Sequence, residues 1–178
     1  MPGTVLELEV TEAELAALAA AGDRDALGEL YRRHAGRLTL LALRLLRSSP
    51  DAEDVVQDLF VALPAALGGY RDEGRLGAWL SRVTANLALK RLRSGLRRRE
   101  DALPAGANEP ALPHADPEQL SVFRAVDALP DTLRVVVLLK FVEGFSHAEI
   151  AELLGIGRGT SEVRLFRAIR QLRTTLGA

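Results

Sequence analysis

Arg75, Trp79, Arg82, Asn86, Lys90, Arg93 and Arg97 recur at steps of four or three residues, a spacing that gathers side chains onto one narrow helix face. The set holds cations, one indole and one amide, with no acid among them. That combination suits recognition of a nucleic-acid strand. Guanidinium and ammonium groups hold phosphates, an indole stacks on or wedges against a base, and a carboxamide reads a base edge. Taken alone, Trp79 reads more readily as core. The stripe as a whole is harder to dismiss, because a solvated face usually mixes charge signs.

A second pattern has the opposite charge. Asp51, Asp54 and Asp58 fall on one side of a helix, with Glu53 and Gln57 beside them and no base between. Acids near a helix N-terminus are stabilising, which accounts for part of the row. Turned away from the apolar face, the row would repel DNA and attract a basic protein surface. No His accompanies these carboxylates, so no metal site is expected.

The third pattern lies near the C-terminus. Ser146-His147-Ala148-Glu149 is a capping box, and Gly155 stands where a left-handed turn residue is wanted. Small Ala151 allows a close crossing, and Ile156 fills the corner. An amphipathic helix follows, with Leu165, Ala168, Ile169, Leu172 and Leu176 on its apolar side. Thr160, Arg164, Arg167, Arg170 and Gln171 lie opposite. A helix-turn-helix would set that face in a major groove, with Arg on phosphates or guanine edges. An Arg-rich solvated face on an ordinary hairpin is the plainer alternative, disfavoured by the three signals occurring together.

The elements that must position these residues are helices, and no alternating strand pattern of useful length is present. Thr11 with Glu14 boxes a short first helix that Gly22 ends. Asp23 caps a second, running to about Arg47. Ser49-Pro50 supplies an N-cap and N1 proline for a third, whose apolar face is Ala52, Val55, Val56, Leu59, Phe60 and Leu63. Gly68-Gly69 closes it, and a fourth helix runs from about Arg75 to Arg99. Residues 100–115, with Pro104, Pro110, Pro113 and several Ala, read as a flexible acidic linker. Asp116-Pro117 opens a further helical group extending to the C-terminus, with helices to about Leu129, over 131–142, over 146–154 and over 158–176. The fold expected is all-α: two small helical domains, residues 1–99 and 116–178, joined by the linker at 100–115.

The chain has 178 residues, 23 Lys+Arg against 24 Asp+Glu, and no Cys. Missing Cys excludes disulfide frameworks, thiolate catalysis and Cys-based metal centres. A net charge of −1 looks unfavourable for nucleic acid, but it is a cancellation between blocks. Residues 71–99 sum to +7 and 158–178 to +4, while 1–29 and 100–131 sum to −6 each. Partners meet blocks rather than totals. No apolar run approaches the roughly 18 residues of a membrane span, and the acidic N-terminus does not read as a secretory signal. No nucleophile–base pair, metal cluster or phosphate-binding Gly loop appears, so no enzyme and no cofactor are expected. His34, His114 and His147 read as structural or solvated.

Read in order, these segments resemble the extracytoplasmic-function (ECF) sigma factors, the small two-domain specificity subunits of bacterial RNA polymerase. Asp51–Leu63, DAEDVVQDLFVAL, resembles the family's core-binding helix, and Arg75–Arg93, RLGAWLSRVTANLALKRLR, its melting and minus-ten-reading helix. ALPDTLRVVVLLKFVEGFSHAEIAELLGIGRGT, from Ala128, resembles the start of the minus-thirty-five-binding domain. The resemblance implies that Asp54, Gln57, Asp58 and Phe60 meet the β′ clamp coiled coil. It places Asn86 beside a flipped minus-ten base, with Trp79, Arg82, Lys90 and Arg93 along the same strand. It puts Arg164 and Arg167 at recognition positions upstream, where Thr160 and Arg170 join them.

The implied partners are core polymerase (β′ clamp and β flap), promoter DNA and an anti-sigma factor, in the cytoplasm and without membrane insertion. Capture of unstacked bases would trap spontaneous opening without nucleotide hydrolysis. Ser161 on the buried side, Val163 among exposed Arg residues, and Pro64 interrupting the third helix depart from the family pattern. Two further readings stay open: a stand-alone helix-turn-helix regulator, and a sigma-like interaction protein without promoter activity.

Overall fold

A computed structural model describes residues 10–71, 74–99 and 117–177, with side chains placed except at 95–99 and 117–120. The linker expected at 100–115 and His114 therefore lie outside the described residues, as do the side chains of Leu96 and Arg97. Among the described residues every regular element is helical.

The first four helices are α1 (Glu12–Ala20), α2 (Arg24–Leu46), α3 (Ser49–Leu67) and α4 (Leu76–Arg99). Thr11 and Glu14 form the expected capping box, and Gly22 turns the chain at φ 91°. Asp23 accepts from the amides of Asp25 and Ala26, both at 2.9 Å, to start α2. The cap of α3 is Ser48 rather than Ser49, so Ser49 and Pro50 form its first turn. Either serine can supply the oxygen, and the left-handed Arg47 at φ 57° aims Ser48 at the Asp51 amide. Pro64 does not interrupt α3, which continues through it to Leu67.

Helix α2 is central and packs on α3 and α4, while α1 lies across α2 and α3. Leu30, Leu38, Leu41 and Leu45 on α2 are at most 2% exposed, and each such side chain contributes roughly 1.5–3 kcal/mol by leaving water. Helix α4 presents Leu76, Leu80, Ala85, Ala88 and Leu89 to this core, together with Ser81 and Thr84. Those hydroxyls are satisfied within their own helix, Ser81 by Gly77 O and Thr84 by Leu80 O. His34 is buried between α2 and α1, its Nε2 3.0 Å from a Glu12 carboxylate oxygen but without the geometry of a hydrogen bond.

The second group comprises α5 (Pro117–Asp127), α6 (Asp131–Val137), a π-helical segment (Leu138–Val142), α7 (His147–Leu154) and α8 (Arg158–Leu176). The π segment breaks the single helix expected over 131–142 and leaves Phe141 exposed beside buried Leu139. Helix α8 packs on α5, α6 and α7. Leu165 and Ala168 are buried and Ile169 and Leu172 partly so, but Leu176 is 40% exposed, because α8 outruns its neighbours by its last turn.

The two groups are in contact, and their buried apolar residues form one cluster. Arg134 on α6, only 1% exposed, donates to the carbonyls of Arg44 and Leu45 at the end of α2, as well as to Asp131. In return Arg47 donates to Asp127 O at the end of α5, at 3.2 Å. Each half thus supplies a cation to the negative end of a helix in the other. Arg44 adds a contact over the Phe123 ring, 5.0 Å from its centroid.

Candidate nucleic-acid interface

The stripe predicted on α4 is one face. Arg75, Asn86, Lys90 and Arg93 are exposed along it, and Trp79 and Arg82 are half-buried. Trp79 is held against Tyr70, ring centroids 5.1 Å apart and tilted by 49°. The indole therefore has one side in the protein, which limits it to edge or single-face contact with a base. Arg82 is engaged within the chain: its Nη2 lies 2.5 Å from Glu152 and its Nη1 3.7 Å from Glu149.

On α3, Glu53, Asp54, Gln57 and Asp58 are exposed and Asp51 is half-buried. The row is not free of cations in space, although it is in sequence. Arg91 of α4 reaches back to Asp51 and Asp54, at 2.7 Å each. Partial burial opposes the charge on Arg91, yet its bonds to the two carboxylates outweigh this and raise its pKa. Phe60 is only 6% exposed and stacks edge-on with Tyr31 at 4.9 Å, so its ring serves mainly the core.

Beside the row runs a groove of about 650 Å³ between α2 and α3, lined by Leu27, Tyr31, Val56, Gln57, Phe60 and Val61. Tyr31 is 51% exposed and Val61 76%, and neither stood out in sequence. The available signal was Val61's place on the polar side of α3. Acid beside exposed apolar surface fits a protein partner better than DNA.

The helix-turn-helix forms as expected. Ser146 donates to Glu149 through its amide and hydroxyl, at 2.8 and 2.7 Å, and its hydroxyl accepts the Glu149 amide. Gly155 takes φ 65°, and the Ile156 amide closes the turn on Ala151 O at 2.9 Å. A side chain at Gly155 would be strained by this left-handed backbone. Thr160, Arg167 and Arg170 are exposed on α8, with Arg164 half-buried. Val163 stands among them, as does Phe166 at 69% exposure, which sequence reasoning passed over. Ser161 is fully buried, and its hydroxyl meets Nδ1 of His147 at 2.9 Å.

The chain therefore carries a basic face on α4, an acidic row on α3 beside a mainly apolar groove, and an exposed Arg-bearing face on α8. Among the described residues, no group of His, Cys, Asp and Glu could hold a metal ion. None of the described helices is long and apolar enough to cross a membrane.

Comparison with known proteins finds two described regions in the chain. Sigma-70 region 2 matches residues 30–99, and Sigma-70, region 4 matches residues 119–172. The ECF RNA polymerase sigma factor SigM of Mycobacterium tuberculosis is 36% identical over 174 residues, covering 95% of this chain and 86% of that protein. The ECF RNA polymerase sigma-E factor of Escherichia coli is 33% identical over 162 residues, with coverage of 83% and 84%. Among solved structures, CnrH in complex with the cytosolic domain of CnrY aligns with a TM-score of 0.57 and 30% identity, covering 92% of this chain and 95% of that one. The sigma factor RpoE of Bartonella quintana, in complex with the anti-sigma factor NepR, shares the fold at a TM-score of 0.63 and 24% identity, covering 85% and 96%.

Proposed function

The chain belongs to the ECF sigma factors, and from that membership we propose how its own surfaces divide the work of a promoter-specificity subunit. It binds core RNA polymerase and directs promoter recognition, melting and initiation. Residues 1–99 act as the core-binding, minus-ten and melting domain, and residues 116–178 as the minus-thirty-five domain, with 100–115 as the connection. The role is non-catalytic and exercised in the cytoplasm.

Asp54, Gln57 and Asp58 meet the β′ clamp coiled coil electrostatically. Phe60, Tyr31 and Val61 supply the apolar floor and rim of the same contact. Asn86 reads an unstacked base of the melted strand, and Arg82, Lys90 and Arg93 follow its phosphates, with Trp79 against the base edge. Thr160, Arg164, Arg167 and Arg170 hold the upstream duplex, and Val163 is placed for a thymine methyl.

The observation that carries this reading is the separation of charge within one half. A cationic strand face on α4 and an acidic row on α3, beside a mainly apolar groove between α2 and α3, point to two different partners, nucleic acid and a basic protein surface. A stand-alone duplex regulator would need the exposed α8 but not that groove. Run-off transcription with core polymerase on promoters of the source genome tests the proposal. Initiation dependent on this chain is expected; a folded chain that fires none of them would defeat it. An anti-sigma factor, the kind of partner present with RpoE in its structure, would act by covering these same faces.

A further inference from the structure

The contact between the halves falls on the α4 stripe. Arg82, assigned above to the strand, is paired with Glu152 at 2.5 Å and Glu149 at 3.7 Å, both on α7. Glu143, at the end of the π segment, has a side chain only 6% exposed and faces Arg37 Nη1 at 3.9 Å. Its Oε2 accepts no hydrogen bond. Around these groups lies a cavity of about 750 Å³, lined by Arg37, Arg71, Arg75 and Arg82 from one half and by Glu143 and Glu149 from the other. The cations come from the strand-binding half and the carboxylates from the helix-turn-helix half. Carboxylates so disposed present to those guanidiniums what a row of phosphates would.

Resting on the function proposed above, we infer that Glu143, Glu149 and Glu152 occupy part of the seat of the melted strand in the free chain, making the helix-turn-helix half an internal competitor for single-stranded DNA. The cover is selective. It reaches Arg82 and the Trp79 end of the stripe, while Asn86, Lys90 and Arg93 beyond it are exposed. Thr160, Arg167 and Arg170 on α8 are exposed as well, so the upstream reader stays open while the strand reader is half closed. The closed packing is held by Arg134 on the end of α2 and by Arg47 on the end of α5. The pairs of Arg82 with Glu149 and Glu152 are partly exposed, so each holds weakly and is screened by salt. A polyanion with many phosphates outcompetes them.

The chain lacks Cys, so Ala17→Cys with Thr174→Cys gives a clean dye pair across the halves, both positions being exposed. Energy transfer in the core-free, full-length chain is compared between wild type and E149Q/E152Q. Gln at 149 preserves the capping box, so the helix-turn-helix stays folded. The double variant is expected to bind a mixed-sequence single-stranded 12-mer about tenfold more tightly, the effect of releasing two weak ion pairs, and to lose transfer at 12-mer concentrations that leave the wild type closed. Its affinity for a duplex upstream probe should change by less than about twofold, because the upstream reader is already exposed.

Unchanged transfer and unchanged single-strand affinity would overturn the inference. So would an equal gain on the duplex probe, which marks a general charge effect. Run-off transcription by the wild type separates this failure from failure of the promoter-specificity reading, since that activity is required by the reading and not by the internal competition.

Discussion

Nδ1 of His147 lies 2.9 Å from the hydroxyl of Ser161, joining the first residue of α7 to the buried side of α8. The pair accounts for a serine where the family pattern places it elsewhere. Ser161 is fully buried, and without His147 its hydroxyl would be an unsatisfied polar group. The bond spans the helix-turn-helix and sets how α8 sits against α7.

Ser161→Leu is therefore expected to overpack that crossing and cost about 1–3 kcal/mol, with weaker binding to upstream duplex. Ser161→Ala removes only the hydrogen bond and should cost about 1 kcal/mol. Urea unfolding of the full chain measures both. Equal stability of the leucine variant and wild type would mean that the crossing has room the structure does not show.

Asn86→Ala should impair opening more than attachment. Asn86 is exposed on α4 with its amide free for a base edge, and loss of one such contact is worth about 1–3 kcal/mol. The open fraction, followed by reactivity of unpaired thymines in holoenzyme–promoter complexes, is expected to fall about tenfold. Retention of the closed duplex complex should be nearly unchanged. Parallel losses in both would count against base capture.

Asp54→Arg reverses charge in the acidic row and should weaken core polymerase binding by at least about tenfold. The same change also breaks the pair with Arg91. Arg91→Ala isolates that second effect: it frees Asp51 and Asp54 from Arg91 without placing a cation in the groove. Its core affinity should match or exceed wild type, measured by titration of labelled chain with core. If Arg91→Ala weakens binding as much as Asp54→Arg, the row acts through fold integrity and not through charge.

Glu149 gives a pH test. The hydroxyl and amide of Ser146, with Arg82 and Lys140 nearby, hold its carboxyl below the ordinary 4.5 against the opposing effect of burial. A carboxyl lowered on folding contributes stability above its unfolded value and loses that contribution as pH falls through the folded one. The stability difference between wild type and E149Q should thus be constant above about pH 5 and shrink below about pH 4.5. Urea midpoints across that range decide it; a gap that persists undiminished to about pH 3 would refute the assignment.

What sequence made legible was whatever is encoded within one turn or one helix period. Thr11 with Glu14, and Ser146 with Glu149, signal their caps through three-residue spacing, and Gly155 signals its turn by lacking a Cβ. Exposure of Asn86, Lys90 and Arg93 followed from their shared face. Long-range partners left no such trace. Arg134 sits in a run of valines, and nothing local indicates that its cation ends in the interior on carbonyls 89 and 90 residues away. Arg91 likewise neutralises part of a row that looked uniformly acidic because its partners lie 37 and 40 positions earlier. The π segment at 138–142 was hidden because its apolar residues suit an α-helix equally well.

The distance along the chain between Arg134 and the end of α2 also has a kinetic meaning. Neighbouring helices within each half follow one another closely in sequence, so the halves assemble mainly from local contacts and can form quickly. The contacts that join them, Arg134 to Leu45 and Arg82 to Glu152, span 89 and 70 residues. The entropy of closing such a span grows only logarithmically, by about 0.6 kcal/mol for each doubling of length. Joining the halves across so long a span therefore costs little more entropy than joining them across a short one.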